Sequence, residues 1–455
     1  MKMKTKTSKK KCICDTEAVL RQITGSPQPI DWSELNNINL NLFTERNSVG
    51  TRNLILKGKD LYERYKRRVT DSDVKAICQY VKLSPKRITK LELPYNEITD
   101  IGFFKLLKQI LVKERSSITY LNIMNNNISE ISILNLSKYA EFVKLKHLRL
   151  NGNDFGTKGG EYLAQFFKRN KSVEVCDIGQ ADQTLTSVAH LMDALRIDSG
   201  ANNTLTVLDL SRVIPLFNRY SYETKWMAYH IENLLRQNKT LVELRLQKNE
   251  MIGHDMTYIV RGLRNNNTLL YLDLGYNRIG EYGTEVLANY LAENPELRLL
   301  NLTGNTIKDT GAKALSLRMP FSKLRALNIA NNKISNMGIL DLLNTLKKPF
   351  YMRYFNIFGN EIGGSSCEVI ERMLMSGVLF QDTTDVRLYS VDGSLYAAYY
   401  PNPFDLNSKL YYCEMDFGFP IPIDHIKRNV MPVKNIIDVG SKPIIGKQIE
   451  IISEN

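Results

Sequence analysis

LLYLDLGYNRI, residues 269–279, is the clearest copy of a pattern that recurs along most of this chain. Counted from Leu269 as position 1, apolar residues fall at positions 1, 4, 6 and 11, and Asn277 stands at position 9. The next two copies begin at Leu297 and Leu324, after steps of 28 and 27 residues. A fixed period of this length with an L-x-x-L-x-L-x-x-N-x-L core is typical of a solenoid, in which each repeat packs only on its neighbours.

The same pattern identifies ten clear repeats, and a degenerate one before them in which Leu54, Leu56 and Leu61 fit positions 4, 6 and 11. Position 1 of the ten falls at Ile88, Ile118, Leu145, Val173, Leu205, Leu241, Leu269, Leu297, Leu324 and Met352. Eight of them carry asparagine at position 9, namely Asn96, Asn126, Asn153, Asn249, Asn277, Asn305, Asn332 and Asn360. Because the backbone leaves its strand at this position, we expect a short amide side chain to bond the backbone N–H and C=O groups that lose their strand partners. Stacking of the repeats would align these amides one above another.

The second half of each repeat has the pattern of a helix. Five repeats place glycine four residues after position 11, and pairs of leucine and alanine follow several of these glycines: Gly102, Gly159, Gly283, Gly311 and Gly338. A short strand followed by a helix of roughly ten residues predicts alternating β and α elements in a right-handed coil. The predicted fold is therefore α/β, a right-handed horseshoe-shaped solenoid with a parallel sheet on its concave face and helices on its convex face.

These patterns divide the chain into four segments. Residues 1–47 are predicted to form a basic disordered tail and an N-terminal cap, and residues 48–380 a solenoid of about eleven repeats of 27–28 residues, irregular at 173–240. Residues 381–420 are predicted to form a C-terminal hairpin cap, because Asp392-Gly393 lies between two strand-like runs and suits a tight turn. Residues 421–455 lack periodicity and are expected to form a flexible tail.

Two adjacent repeats depart from the pattern. Position 9 holds Ala181 in the first and Val213 in the second, and the second is stretched to 36 residues by an insertion rich in aromatic residues. Two interpretations remain open for this insertion. It is either a longer loop that folds onto the solenoid, or a protruding partner contact to which four residues contribute: Arg212, Phe217, Tyr220 and Trp226.

The net charge of +13 points to nucleic acid or acidic proteins as partners, and lysines within the first eleven residues supply nearly half of it. This basic start is interpreted as a solubilising tail, or as a nuclear-import signal or contact with an acidic partner. No apolar run approaches the length of a membrane span, and no apolar region follows the lysines as in a secretory signal. We therefore expect no membrane contact, a reducing compartment, and free thiols at the six cysteines.

The concave face is predicted to bind a protein partner. Positions 3, 5, 7 and 8 should point away from the core, and there five basic residues are matched by five acidic ones. Because this balance leaves no basic groove, nucleic acid is not expected on this face. Exposed tyrosine with mixed charge is the composition of a protein interface. The predicted contacts are Tyr95, Tyr120, Arg149, Arg245, Lys248, Tyr271, Tyr276 and Tyr354.

The sequence offers no pattern for catalysis. None of the five histidines pairs with another histidine or a cysteine at a ligand spacing, so no metal site is expected. No phosphate-binding loop and no G-x-S-x-G turn occurs. We therefore predict a monomeric protein that is not an enzyme and has no cofactor and no small-molecule substrate.

Repeats of 27–28 residues with Gly-x-x-x-Leu-Ala helices resemble the ribonuclease-inhibitor-like subfamily of leucine-rich repeat proteins. The resemblance covers about residues 50–415. Three motifs outside the generic repeat point to one particular group within this subfamily: LDLSR at 208–212, IFGNEIGGSSC at 357–367 and TDVRLYSVDGSLYAA at 384–398. It implies a scaffold of the nucleus, nucleolus and cytoplasm, linked to germ- or stem-cell differentiation, with acidic nucleolar proteins as partners. Two alternatives remain open, a structural component of the ciliary axoneme and a GTPase-activating protein of the Ran-activator type.

Overall fold

The structure is a computed structural model that describes residues 34–84, 87–113, 116–196, 202–214, 223–346 and 352–402. The flexible tail predicted at 421–455 lies outside these residues, as do the lysine-rich start and the loop residues Phe217 and Tyr220. The domain limits assigned from the sequence stay predictions.

Short strands form one sheet whose order follows the chain from β1 to β12. Strand β1 pairs antiparallel with β2, and each later strand adds in parallel, so that Leu244, Leu272, Leu300 and Leu327 at position 4 lie side by side. A separate antiparallel hairpin joins β13 to β14 across Asp392-Gly393. The strands are β1 Thr44–Arg46, β2 Arg52–Ile55, β3 Ile88–Glu92, β4 Tyr120–Asn122, β5 His147–Arg149, β6 Val175–Asp177, β7 Val207–Asp209, β8 Glu243–Arg245, β9 Tyr271–Asp273, β10 Leu299–Asn301, β11 Ala326–Asn328, β12 Tyr354–Asn356, β13 Val386–Val391 and β14 Ser394–Tyr399.

A helix follows each strand from β2 to β12, which confirms the predicted α/β solenoid. Because every connection runs from a strand through a helix to a parallel neighbour, the helices lie together on one side of the sheet. The helices are α1 Asn37–Leu42, α2 Gly58–Tyr65, α3 Val74–Leu83, α4 Asp100–Leu106, α5 Glu130–Lys138, α6 Gly156–Arg169, α7 Leu185–Asp193, α8 Thr224–Gln237, α9 Asp255–Leu263, α10 Gly280–Leu291, α11 Lys308–Arg318, α12 Asn336–Leu346 and α13 Gly364–Met375.

One hydrophobic core runs through the whole stack of repeats. The apolar residues at positions 1, 4, 6 and 11 are buried in it, as Leu269, Leu272 and Leu274 illustrate, except that Met352 and Ile362 of the last repeat are only partly buried. The core begins at Leu35 and Leu40, before the first strand, and ends at Val386 in the hairpin. Elements outside the repeats therefore cover both ends of the apolar stack, as a solenoid requires.

Glycine at the helix starts lets each helix approach the turn before it. A Cβ atom on Gly283 would lie 2.5 Å from Cγ2 of Ile279 and 2.8 Å from Cα of Gly253 in the preceding repeat. Both separations are far below van der Waals contact, so a side chain there would force the helix outward.

The asparagines at position 9 form the predicted ladder. Nδ2 of Asn277 donates to the carbonyl of Leu246 in the preceding repeat at 3.0 Å and to that of Leu274 at 2.8 Å. Its Oδ1 accepts from the backbone N–H of Asn249 at 2.9 Å. Each amide thus bonds backbone groups of two repeats, which satisfies donors and acceptors that the turn would otherwise leave unpaired in the core.

A second asparagine ladder lies at the opposite end of the strands, where the chain passes from each helix into the next strand. Nδ2 of Asn266 donates to the carbonyl of Leu235 at 2.9 Å, and its Oδ1 accepts from the backbone N–H of Leu269 at 2.8 Å. The ladder spans the irregular repeats, in which position 9 lacks asparagine, and the sequence analysis missed it. Its members lie three residues before position 1 in four successive repeats: Asn170, Asn202, Asn238 and Asn266.

Candidate functional site

The candidate site is the strand face, defined as the side chains at positions 3 and 5 of β3–β12. Successive residues of a strand point to opposite sides of the sheet, so position 4 enters the core and positions 3 and 5 face away from the helices. The parallel register then places residues of the same repeat position next to each other in neighbouring strands. Tyr120 pairs with His147 in the next strand, their ring centres 5.3 Å apart, and Lys90 lies 4.4 Å from the Tyr120 ring centre on the other side.

A buried cluster of charges occupies the middle of the strand face, at β8 and β9. Nε of Arg245 donates to Glu243 at 2.5 Å, and the guanidinium lies 5.2 Å from the ring centre of Tyr271. The Tyr271 hydroxyl donates to Asp273 at 3.3 Å, and Nε2 of Gln247 donates to the same carboxylate at 2.6 Å. Every charged group of this cluster therefore has a partner, as burial of charge demands.

Electrostatics fix the charge states of the cluster. Burial opposes the charge of Arg245, but Tyr271, Glu243 and the neighbouring aspartates raise the pKa of its guanidinium well above the usual value. Burial raises the pKa of Asp273, and Arg245 counteracts this. Burial also raises the pKa of Tyr271, so its hydroxyl remains a neutral donor. Replacing Arg245 alone would leave buried carboxylates uncompensated, which is strongly destabilising.

The prediction that the strand face exposes its arginines and tyrosines is wrong at three positions. Arg245, Tyr271 and Tyr354 are only 6%, 3% and 4% exposed. Neighbouring strands stand about 4.8 Å apart, so long side chains on one face pack along their length against one another. Arg149 pairs with Asp177 at 3.1 Å for the same reason, and only 12% of its side chain is exposed. Partner contact by these residues stays a prediction.

The exposed predicted residues belong instead to position 8, the turn after each strand. Arg212 and Lys248 are exposed, Tyr276 is 41% exposed, and Tyr95 is half-buried beneath Lys59, whose Nζ lies 4.0 Å from its ring centre. All ten repeats hold this position at positive φ, between 49° and 80°. The members are Tyr95, Asn125, Gly152, Gln180, Arg212, Lys248, Tyr276, Gly304, Asn331 and Gly359.

Four successive repeats place a large side chain at this left-handed position: Gln180, Arg212, Lys248 and Tyr276, here named the turn row. The left-handed conformation costs roughly 1–2 kcal/mol for a residue with a side chain, and glycine avoids that cost. Lys248 and Tyr276 also contact each other, with 5.1 Å between Nζ and the ring centre. Strain that persists at exposed side chains is a reason to suspect a binding role. Glycine or asparagine at position 8 of five of the other six repeats was the signal that the sequence analysis missed.

The residues predicted for the irregular loop do not form one site among those described. Arg212 belongs to the turn row, whereas Trp226 lies on helix α8. Trp226 is 54% exposed and Tyr229, one turn later, is 44% exposed, with their ring centres 6.4 Å apart. Phe217 and Tyr220 lie outside the described residues, so their assigned role stays a prediction.

The described part of the chain contains no group of three or more histidine, cysteine or acidic residues that could hold a metal. Its helices are all too short or too polar to cross a membrane. Cys78, Cys176 and Cys367 are free and buried. Burial raises the pKa of all three thiols, to about 11 for Cys78. These thiols therefore lack the thiolate character that reactivity requires.

Comparison with known proteins agrees with this architecture. The family model described as "Leucine Rich repeat" matches residues 143–164, 265–288 and 293–316. The repeat pattern, the parallel sheet with its asparagine ladder and this match together identify the fold as a leucine-rich repeat solenoid.

Leucine-rich repeat-containing protein 34 is one protein to which the chain is similar. The chain is 30% identical to the Homo sapiens protein over 95 residues, which cover 21% of this chain and 20% of the relative. It is 33% identical to the Mus musculus protein over 73 residues, 16% of this chain and 18% of the relative. The matches thus span about a fifth of the length of these relatives. Among solved structures, the yeast Rad7 and Elc1 complex matches with a TM-score of 0.38 at 14% identity, over 80% of this chain and 91% of the other.

Proposed function

We propose that this chain is a non-enzymatic protein-interaction scaffold that binds a protein partner through its turn row. The observation that carries the proposal is the set of large, exposed side chains that successive repeats hold at positive φ, above all Arg212, Lys248 and Tyr276. A repeat fold that suggests a scaffold supports it as well. Tyrosine and arginine are the residues on which protein interfaces most often depend.

Mixed charge on the strand face disfavours nucleic acid on that face. The ion pairs Arg149–Asp177 and Arg245–Glu243 neutralise strand-face arginines from within the sheet. A surface that binds nucleic acid instead needs cations that are available to phosphates. Within the turn row, Arg212 and Lys248 supply positive charge and Tyr276 supplies apolar area, which together suit an acidic or aromatic protein segment.

The test is affinity purification of the full-length chain at about 0.15 M and about 1 M salt, where the screening lengths are near 8 Å and 3 Å. Lys248→Gly with Tyr276→Gly removes two side chains of the turn row and keeps the backbone, since glycine accepts their φ of 54°. Tyr282→Ala with Lys313→Ala is the matched control, because both residues are exposed on helices. We expect a salt-resistant partner that the glycine variant loses and the control keeps. Retention by the glycine variant would remove the turn row from the interface.

Variants of the buried cluster suit this test poorly. Arg245→Ala with Tyr271→Ala removes contacts to Glu243 and Asp273, so a loss of binding would report loss of folding as much as loss of contact. Variants of the exposed turn-row residues allow a change in binding to be measured separately from a change in folding.

The proposed setting is the nucleus, nucleolus and cytoplasm, with acidic nucleolar partners and a link to germ- or stem-cell differentiation. The lysine-rich start supports it, because a basic segment attracts acidic partners over a range that salt screens. Removal of residues 1–14 should therefore weaken binding at low salt only. Imaging of the tagged chain separates this setting from a ciliary axoneme. A GTPase turnover assay with Ran tests the remaining alternative, and we expect no stimulation.

A further inference from the structure

Three successive helices form a surface on which lysines and exposed apolar side chains lie together, here named the lysine surface. Helices α3, α4 and α5, with the π-helical turn Leu107–Leu111 that follows α4, contain five lysines and no arginine. The members are the lysines Lys75, Lys82, Lys105, Lys108 and Lys138 and the exposed apolar residues Leu83, Ile101, Phe104 and Ile131.

Contacts between the helices make this surface continuous. Nζ of Lys82 on α3 donates to Oε1 of Gln109 in the π-helical turn at 3.2 Å. Nζ of Lys108, from the same turn, donates to the hydroxyl of Tyr139 at the end of α5 and lies 3.9 Å from the centre of that ring. It also lies 5.7 Å from the ring centre of Phe104 on α4. The π-helical turn, a conformation found frequently at functional sites, therefore links α3 to α5.

The lysines of this surface have no acidic partner among the described residues, since no carboxylate there lies within 4.0 Å of their Nζ atoms. Elsewhere on the helices, cations of one repeat pair with acids of the next, as Arg264 does with Glu293 at 2.6 Å. The acid that follows α5, Glu141, is bonded instead to Arg169 of α6 at 3.1 Å. Five like charges that share one surface repel one another, and an anionic partner removes this repulsion.

The exposed apolar residues of the lysine surface are clustered. Ile101 and Ile131 are each the second residue of their helix, α4 and α5, and are 64% and 55% exposed. Asp100 accepts from the backbone N–H of Ser129 at 3.0 Å, which holds the starts of these two helices side by side. Phe104, one turn after Ile101, is 38% exposed. Single exposed apolar residues are ordinary, but a group of them on one surface marks a binding site.

We infer that the lysine surface binds an acidic amphipathic helix of a partner protein. The lysines complement glutamate and aspartate, while Ile101, Phe104 and Ile131 supply apolar area for one face of that helix. Neighbouring helices lie about 8–10 Å apart, so the surface is about 20 Å wide from α3 to α5. A crossing helix of about 13 residues spans this width. The inference goes beyond the proposed function, because no residue of the turn row belongs to this surface.

Two other anionic partners suit the surface less well. Nucleic acid is recognised through arginine and through free aromatic rings on which bases stack. Here α3–α5 contain no arginine, and Lys108 lies against the rings of Phe104 and Tyr139. A protein that binds a membrane surface buries its apolar side chains about 5–10 Å into the lipid. Phe104, with most of its surface covered, does not protrude that far.

Fluorescence anisotropy with the full-length chain and a labelled helical peptide of about 18 residues tests the inference. The peptide carries leucine and phenylalanine on one helical face and glutamate on the other, and its control has the same composition in scrambled order. Lys82→Glu with Lys138→Glu reverses two exposed charges of the lysine surface. In a second variant, Ile101→Ser with Phe104→Ser removes exposed apolar area.

Two further variants serve as controls. Lys225→Glu with Lys313→Glu makes the same change of charge at exposed positions of α8 and α11. Lys248→Gly with Tyr276→Gly alters the turn row, so its result separates this surface from the proposed function. Urea unfolding midpoints equal to that of the natural chain establish that each variant is folded.

We expect the natural chain to bind the amphipathic peptide about tenfold more tightly than the scrambled one at about 0.15 M salt. Both variants of the lysine surface should weaken this binding by about tenfold, and both controls should leave it unchanged. Equal affinity for the two peptides, or unchanged affinity after charge reversal, would overturn the inference. Tighter binding to vesicles that contain phosphatidylserine, or to single-stranded oligouridine, would also overturn it and assign the surface to a membrane or to RNA.

Discussion

At the residue scale, asparagine at position 9 stabilises the stack because one amide bonds the backbones of two repeats. Asn277→Ala removes the bonds to Leu246, Leu274 and the N–H of Asn249, which leaves buried groups unpaired. Each unpaired group costs about 1–3 kcal/mol, so we expect the free energy of unfolding to fall by about 2–4 kcal/mol. Urea unfolding measures this change. The exposed Asn267→Ala is the control and should change stability by less than about 0.5 kcal/mol.

Asp100 at the start of α4 gives the stability a pH dependence of known sign. Burial alone would raise the pKa of Asp100, but hydrogen bonds from Ser129 and Ser132 outweigh it and lower the pKa. The backbone N–H of Ser129 donates at 3.0 Å, and both hydroxyls donate at 2.5 Å. An acid with a lowered folded pKa contributes stability above its unfolded pKa, and this contribution disappears as the pH falls through the folded value.

Asp100→Asn should therefore destabilise the chain by about 1–3 kcal/mol at pH 7, the usual range for hydrogen bonds to a charged group. The difference from the natural chain should narrow only below about pH 4, where the Asp100 carboxylate of the unfolded chain begins to gain its proton. Unfolding curves between pH 3 and 7 check this, and a difference that does not change with pH would contradict the role of the charge.

At the element scale, the space between a helix and the turn before it sets which glycines are required. Gly283→Ala should lower the free energy of unfolding by about 1–3 kcal/mol, since the new methyl group meets Ile279 and the backbone of Gly253. Gly364→Ala at the start of α13 is the control, because nothing lies within 4 Å of its Cβ position. That control should leave stability unchanged or raise it by up to about 1 kcal/mol, as alanine favours the helix. Thermal unfolding of both variants decides the matter.

In the turn after each strand, replacing an exposed residue at positive φ with glycine should not lower stability, in contrast to replacing Gly283 with alanine. Arg212 has a φ of 53°, so Arg212→Gly relieves a left-handed strain. We expect the variant to be as stable as the natural chain or more stable by about 1 kcal/mol, and to bind its partner less tightly. Denaturant midpoints and the purification experiment measure the two effects on one variant. A loss of stability would show that Arg212 contributes to folding and is not kept for binding alone.

At the scale of the whole molecule, the sequence predicted the solenoid because its period, its apolar positions and its position-9 asparagines all depend on contacts between neighbouring repeats. Leu272 and Asn277 contact the same partners in each copy, so one repeat predicts the next. The charge cluster of Arg245, Glu243 and Asp273 could not be predicted as buried, since a list of outward positions does not show how closely the side chains of neighbouring strands pack. Positive φ at Tyr276 escaped notice because tyrosine is an unusual residue for that conformation.

The two asparagine ladders lie at opposite ends of the strands, so each holds neighbouring repeats together independently of the other. Where position 9 is Ala181 or Val213, the ladder at the other edge continues through Asn202 and Asn238 and keeps the repeats in register. An insertion at one end of the strands is therefore tolerated without disturbing the asparagine ladder at the other end. The extra residues of the 36-residue repeat that begins at Leu205 follow β7, on the side where position 9 lacks asparagine. A leucine-rich repeat chain can thus accommodate longer loops at one end of its strands while the asparagine ladder at the other end keeps the repeats stacked.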